Sequence, residues 1–293
     1  MRNGRYDSKS KVSAGKRAMK PGDPNAGRRP GAKVQAKKSE TREPVKKTNG
    51  LQIEGRNAVL EALRAGAGLT ALYVQEGSSG AEIEEIRALS EAAGVIPQTV
   101  SGERLQSLQE SRSPQGVVGK FREYRFFEVE EMLRDAREKG EDPFIVVLSG
   151  IEDPQNLGAI IRTACLMGAH GVVIRKDRAA GITPAVAKSS AGALFRMKVA
   201  EVTNIAATLD KLKKEGLWTA AADMDGKRPE ELNLRGAIAL VIGSEGEGVP
   251  RLVRERSDFI VSVPMAKAGT VDSLNASVAA GILMYEIVRQ RNL

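Results

Sequence analysis

Cysteine and histidine each occur once in the 293 residues, as Cys165 and His170. One thiol forms no internal disulfide, one His and one Cys are too few for a His/Cys zinc site, and no Ser/His/Asp relay can be assembled around so isolated an imidazole. No metal site is expected. Cys165 falls inside an apolar helical pattern and reads as core filler rather than as a nucleophile. Aromatic residues make up only 4% of the chain. Apolar runs as long as a membrane span are missing, as is the apolar segment of a secretory signal, so the expected address is cytoplasmic.

What the chain has is charge, unevenly placed. Residues 1–48 hold 15 Lys/Arg against 4 Asp/Glu, a balance of +11, which leaves 30 against 33 in the remainder. This stretch is rich in Lys, Arg, Gly, Pro and Ser and poor in large apolar residues. It reads as a disordered tail that binds phosphates nonspecifically, the plain alternative being a solubilising extension.

From Leu51 the pattern becomes regular. Residues 49–125 read as a small α/β domain: helices in "GRNAVLEALRAG", "GAEIEEIRALSEAAG" and "GERLQSLQE" alternate with strands in "LTALYVQ", "VIPQTV" and "GVVGKFREY". Residues 126–142 form a charged helix and turn that reads as a linker. Residues 143–293 carry six apolar runs, from "FIVVLSG" to "FIVSVPM", separated by helical patterns at 157–168, 184–190, 204–215 and 273–291. Continuous Val/Ile/Leu runs separated by helices predict an α/β domain with a parallel sheet buried on both faces.

Three segments leave strands of that second domain with polar residues that a core does not need. In "EDPQNLGAIIRTA", Asn156 stands at the mouth of a helix, where it either caps the helix or serves a site. Arg162 lies over Gly158, which leaves its guanidinium a path back towards Asn156. In "VIGSEGEGVP", Gly243, Gly246 and Gly248 surround Glu245, which, if buried or half-buried beside Arg162, would be a natural partner for it. That glycine order is neither the dinucleotide fingerprint nor a P-loop, which disfavours a nucleotide-dependent oxidoreductase. In "DSLNASVAAGILMYE", Ser273 is expected to cap a helix with Asn275 early in it. The helix's apolar face is expected to run through Leu274, Val278, Ile282 and Tyr285, opposite the small residues Ala276, Ala279, Ala280 and Gly281.

In this order and spacing the three segments resemble the motifs of the SpoU family of RNA ribose 2'-O-methyltransferases, in the knotted SPOUT class. The front domain, with "GRNAVLEAL" and "SPQGVVG", resembles the L30e-like substrate-binding domain of its RlmB-like branch. The resemblance covers about residues 50–293. It implies Asn156, Arg162, Glu245, Ser273 and Asn275 at the reaction centre, and S-adenosyl-L-methionine held in the knot near Gly243, Val263, Met265 and Leu274. The third motif here has two more residues than usual, around Ala266 to Ala268, which bears on the lip of that pocket. The implied reaction is methylation of a ribose in RNA by a homodimer, most like a guanosine of 23S rRNA. Alternatives are a tRNA ribose and a noncatalytic RNA-binding or ribosome-assembly protein that retains the fold. The shortage of aromatics leaves shape and phosphate contacts, rather than base stacking, to the front domain. Methyl transfer from a sulfonium needs neither metal nor covalent nucleophile. Arg162 is implied to hold a phosphate and to stabilise the developing alkoxide, since a guanidinium barely deprotonates.

Overall fold

Two sheets organise the chain, a mixed one in front and a parallel one behind it in sequence. The computed structural model describes residues 50–110, 114–266 and 273–292. The expected tail, and most of the segment around the extra residues of the third motif, lie outside the described residues. The first sheet contains β1 (Gln52–Glu54), β2 (Leu69–Gln75), β3 (Gln98–Val100) and β4 (Val117–Phe121), in the order β1-β4-β2-β3. β4 runs antiparallel to β1 and β2, and β3 runs parallel to β2. Helices α1 (Arg56–Arg64), α2 (Ala81–Ala92) and α3 (Gly102–Leu108) complete this half. α1 buries Ala58, Val59, Leu60, Ala62 and Leu63, and Gly66 follows it with φ +69°. β1 escapes sequence reading because three residues show no period.

The stretch read as a linker contains α4 (Val129–Glu138), which is packed rather than free. Its residues Val129, Met132, Leu133 and Ala136 are buried. A Cβ at Gly171 would fall 2.1 Å from the Met132 sulfur, so α4 sits directly on the second sheet.

That sheet holds β5 (Phe144–Ser149), β6 (Gly171–Arg175), β7 (Val199–Val202), β8 (Trp218–Lys227), β9 (Ile238–Gly243) and β10 (Phe259–Val261), in the order β10-β8-β9-β5-β6-β7. Every neighbouring pair is parallel. β5 and β9 are buried at every residue, as expected of strands covered on both faces. Five helices follow: α5 (Pro154–Leu166), α6 (Pro184–Ser189), α7 (Ile205–Lys214), α8 (Arg251–Arg256) and α9 (Ala276–Arg291). The predicted class, α/β with a buried parallel sheet, is the observed one.

The strand order reverses beside β5. The chain steps outward through β6 and β7, then returns to place β9 and β8 on the other side of β5. Ser149 pairs with Gly243 at the carboxyl ends of β5 and β9, so the loops leaving these two strands face each other. Such a switch point opens a crevice, where ligands of open α/β sheets bind.

α9 turns the opposite way from the expectation. Ala276, Ala280, Leu283, Met284 and Ile287 are buried, whereas Val278, Ile282 and Tyr285 are 49%, 40% and 58% exposed. The small residues that promised close helix packing provide it: α9 lies against α5, with a Cβ at Gly281 3.8 Å from the Thr163 methyl.

Candidate active site

Helix α5 begins with Pro154 at its first position, where the missing N–H costs nothing. The cap is Asp153, whose Oδ1 accepts from Gln155 N at 3.0 Å. Asn156 is therefore not the cap. It is only 8% exposed and donates from Nδ2 to Glu245 Oε1 at 2.9 Å, across 89 positions of sequence.

The loop after β9 doubles back to deliver that glutamate. A Cβ at Gly243 would lie 2.1 Å from the Gly248 carbonyl carbon, a clash with backbone that no rotamer relieves. Ser244 and Gly248 exchange backbone hydrogen bonds of 3.1 and 3.0 Å, and Gly248 adopts φ +66°. Glycine is required at these two positions, whereas a Cβ at Gly246 would meet open space. Glu245 is exposed at the loop's tip rather than half-buried.

The third segment closes the cluster through Asn275. Ser273 does not cap α9, because the helix starts at Ala276 and the capping residue is Asn275. Asn275 Oδ1 accepts from Ser277 N at 3.0 Å and Val278 N at 3.3 Å. Its Nδ2 donates to Glu245 Oε1 at 2.6 Å and to Asn156 Oδ1 at 3.0 Å, while Ala276 N also donates to Glu245 Oε1, at 3.3 Å. One carboxylate oxygen thus gathers donors from two distant segments and pins the glycine loop to both helix starts.

Arg162 does not join this cluster. It is exposed and forms no hydrogen bond or ion pair with Asn156, Glu245 or any other described residue. The physical reason lies at Gly158: its open face is filled by α6, such that a Cβ there would fall 1.8 Å from Ser189 Oγ. Gly158 thus serves a close helix contact, not a path for the guanidinium. Arg162 instead shares the outer face of α5 with Leu166, which is 76% exposed four residues on.

A cavity of about 380 Å³ opens against the cluster, and all four residues expected to hold a cofactor, Gly243, Val263, Met265 and Leu274, line it. Ser273 and Glu245 line it too. Sequence reading missed Asp223 and Asp225 in the same wall, with Arg254 drawn to within 3.6 and 3.8 Å of them. Their signal was available, because "AADMD" follows the apolar run of a strand neighbouring the switch point. Among the described residues, the lining carries the carboxylates of Asp223, Asp225, Glu245 and Glu247 against the single guanidinium of Arg254, with aliphatic side chains beside them, and this excess of negative charge suits a ligand with a positive centre and an apolar body.

The remaining thiol and imidazole lie elsewhere. Burial pushes the half-buried Cys165 thiol above its ordinary range, as fits a packing residue. His170 Nδ1 accepts from Phe144 N at 3.0 Å and its Nε2 meets Glu141 at 3.0 Å. Among the described residues no His/Cys/Asp/Glu cluster could hold a metal ion, and no helix is long and apolar enough to cross a membrane.

A cavity and a polar cluster built from three distant loops meet at the switch point of a parallel sheet, the edge at which open α/β proteins as a class bind their ligands. Residues 143–285 match the SpoU rRNA Methylase family, and residues 52–127 match the RNA 2'-O ribose methyltransferase substrate-binding family. The chain is 44% identical over 240 residues to YacO of Bacillus subtilis (strain 168), assigned to the TrmH family of tRNA/rRNA methyltransferases; the match covers 81% of this chain and 95% of YacO. The crystal structure of an RNA 2'-O ribose methyltransferase superposes with a TM-score of 0.67 at 30% identity, over 84% of this chain and 90% of that one. An AdoMet-bound rRNA methyltransferase from Sinorhizobium meliloti gives 0.69 at 25% identity, over 82% and 87%. The chain belongs to the SpoU (TrmH) family of RNA methyltransferases.

Proposed function

We propose that this chain transfers the methyl group of S-adenosyl-L-methionine to the 2'-hydroxyl of a ribose in RNA, with a guanosine of 23S rRNA as the target. The observation that carries the reading is the convergence of Asn156, Glu245 and Asn275 beside the cavity lined by Gly243, Val263, Met265 and Leu274. The cavity fits the cofactor by its chemistry: Asp223, Asp225 and Glu245 supply negative charge for a sulfonium, and Val263, Leu274 and Leu283 supply apolar surface for an adenosyl group. When bound, the cofactor supplies an electrophilic methyl group. Asn156 and Asn275 hold the Glu245 carboxylate at the cavity mouth, where it orients the incoming hydroxyl and accepts its hydrogen bond. Ser273, exposed on the cavity wall, offers a further hydroxyl to the ribose.

Arg162 enters this reading through a second copy of the chain. Its neighbours on the outer surface, Leu166 of α5 with Val278, Ile282 and Tyr285 of α9, form an apolar stripe over two packed helices. A homodimer that covers the stripe moves Arg162 into the interface, where its planar fork grips an RNA phosphate and stabilises the developing alkoxide. The knotted path of the last two motifs, the L30e-like kinship of the front sheet, the domain limits 49–125 and 143–293, and a cytoplasmic address belong to the same reading. A tRNA ribose is the second substrate class, favoured by the naming of YacO for both RNAs. The decisive experiment incubates the purified protein with labelled S-adenosylmethionine and separated bacterial rRNA and tRNA, then maps the labelled nucleotide. Label at a 2'-O-methylguanosine of 23S rRNA is the expected result; label confined to tRNA selects the second reading, and no label in either RNA overturns both.

A further inference from the structure

A second cavity, about 530 Å³, lies across the loop 244–248 from the first, so the loop is a common wall. Glu245 faces this second cavity as well as the first, and Asn156 lines the second, together with Ser149 and Gly150 at the end of β5. Two arginines, Arg175 and Arg178, line this cavity and not the first. Arg175 ends β6 and is half-buried, and Arg178, three residues on, is exposed and held at φ +54°. A long side chain in the left-handed region costs about 1 kcal/mol, a conformation kept where the surrounding fold dictates it. Neither arginine makes an ion pair or hydrogen bond with a described residue, although Glu152, Asp153 and Glu247 line the same cavity. Those carboxylates would repel a polyanion unless cations stood opposite them.

We propose that Arg175 and Arg178 hold the phosphates flanking the target ribose, so that the RNA strand enters on one side of the 244–248 loop while the cofactor occupies the other. The inference rests on the methyltransferase reading and adds the residues that seat its substrate. The geometry has a direct chemical sense. In-line displacement needs the hydroxyl and the methyl donor to approach from opposite directions, and Glu245 is the one side chain of the shared wall that the two asparagines fix in place. The guanidinium fork matches a phosphodiester oxygen pair, which a point charge does not. Both arginines act as positioning residues and stay clear of the reacting atoms.

The test uses the full-length protein with Arg175→Gln, Arg178→Gln, the double variant and Arg175→Lys. Steady-state methyl transfer to ribosomal RNA is measured across a salt series, with cofactor affinity determined by calorimetry on the same samples. Each Gln variant is expected to raise KM for RNA about tenfold, as for removal of one charge-assisted hydrogen bond, with kcat and cofactor affinity within about twofold. The slope of log(kcat/KM) against log salt should flatten by about 0.7 for each phosphate no longer neutralised, and Arg175→Lys should recover the slope while leaving KM raised. An unchanged KM and slope in the double variant overturn the proposal, as does a collapse of kcat at normal KM. If the wild type methylates no RNA, the methyltransferase reading has failed, and filter binding of RNA to the same variants still decides the inference: weaker binding and a flatter slope support it, and equal binding overturns it.

Discussion

Asn275 performs two tasks through the two ends of one amide, and Asn275→Asp separates them. The oxygen that caps α9 survives the change, with added favourable charge at a helix N-terminus worth about 0.3–1 kcal/mol. The nitrogen that ties Glu245 and Asn156 becomes a carboxylate oxygen facing Glu245 Oε1, where the donor now lies at 2.6 Å. Two unit charges at that distance repel by about 1.5 kcal/mol at the dielectric of water and by about 6 at an effective value of 20. Because Glu245 is exposed, the lower figure governs, and the two carboxylates swing apart. The two donated bonds, each about 1 kcal/mol net, go with them. The loop is thereby released at a cost of about 2 kcal/mol to the site while the fold keeps its cap. A loss of that size in transition-state positioning lowers kcat/KM about 30-fold. The melting temperature should fall by less than about 4 °C, because the helix start is intact. Asn275→Ser, a cap without a tie, should behave alike, and Asn275→Ala should lose about 1 kcal/mol more stability with its cap. Steady-state methyl transfer and thermal melting on the three variants make the comparison. An Asn275→Asp enzyme within threefold of wild type in kcat/KM would show that the tie to Glu245 has no part in the chemistry.

Three further outcomes follow from the same geometry. Arg162→Ala should abolish methyl transfer yet leave cofactor affinity within about twofold, because Arg162 lines neither cavity, and Arg162→Lys should remain poor for want of the planar fork; near-normal turnover in the alanine variant would remove it from the mechanism. Gly158→Ala forces a Cβ into Ser189 and should destabilise the protein by about 1–3 kcal/mol, with partial recovery in the double variant with Ser189→Gly; an unshifted melting curve would mean that α5 and α6 are not closely packed. His170 is held below its ordinary pKa chiefly by burial, against an opposing pull from Glu141. The unfolded chain therefore takes up a proton near pH 6.5 that the folded chain refuses, so this contribution is full above that pH and lost on acidification, by at most about 1.4 kcal/mol per pH unit. Urea midpoints at pH 7.5 and 5.5 should differ less for His170→Gln than for wild type, and equal differences would refute the assignment.

The sheet was legible because "FIVVLSG" and "AIALVIGS" are apolar without alternation, and only a strand covered on both faces carries such a run. The polar cluster was legible as three ordered motifs, and the hydrogen bonds among Asn156, Glu245 and Asn275 join what the motifs put forward. What stayed hidden was orientation. α9 carries apolar residues on every side, so its period selects no unique inner face, and the choice falls to neighbours that the sequence does not place. The path drawn for the Arg162 guanidinium failed for the same reason: whether the space over Gly158 is open depends on α6, which arrives from about 30 residues downstream. Asp223 and Asp225 were missed because two acidic residues behind an apolar run look like an ordinary polar turn, whereas β8 carries both and continues to Lys227.

One buried apolar cluster runs from Ile53, Leu72 and Phe121 of the front sheet to Phe144 and Leu240 of the parallel sheet and Leu157 of α5. At the seam the Phe121 ring stacks on Phe195 with centroids 6.3 Å apart, Glu61 pairs with Arg196, and Gly192 leaves room for Glu61. The two segments that match separate families are therefore not beads on a string that recombination can exchange at will. A recognition module grafted from a relative would arrive with its own contours. Unless it also brought partners for Phe195 and Arg196, the recipient would keep an open greasy wound beside α6. Changes of RNA target in such a lineage are expected to accumulate on the outer loops of the front sheet, with the seam inherited as a unit.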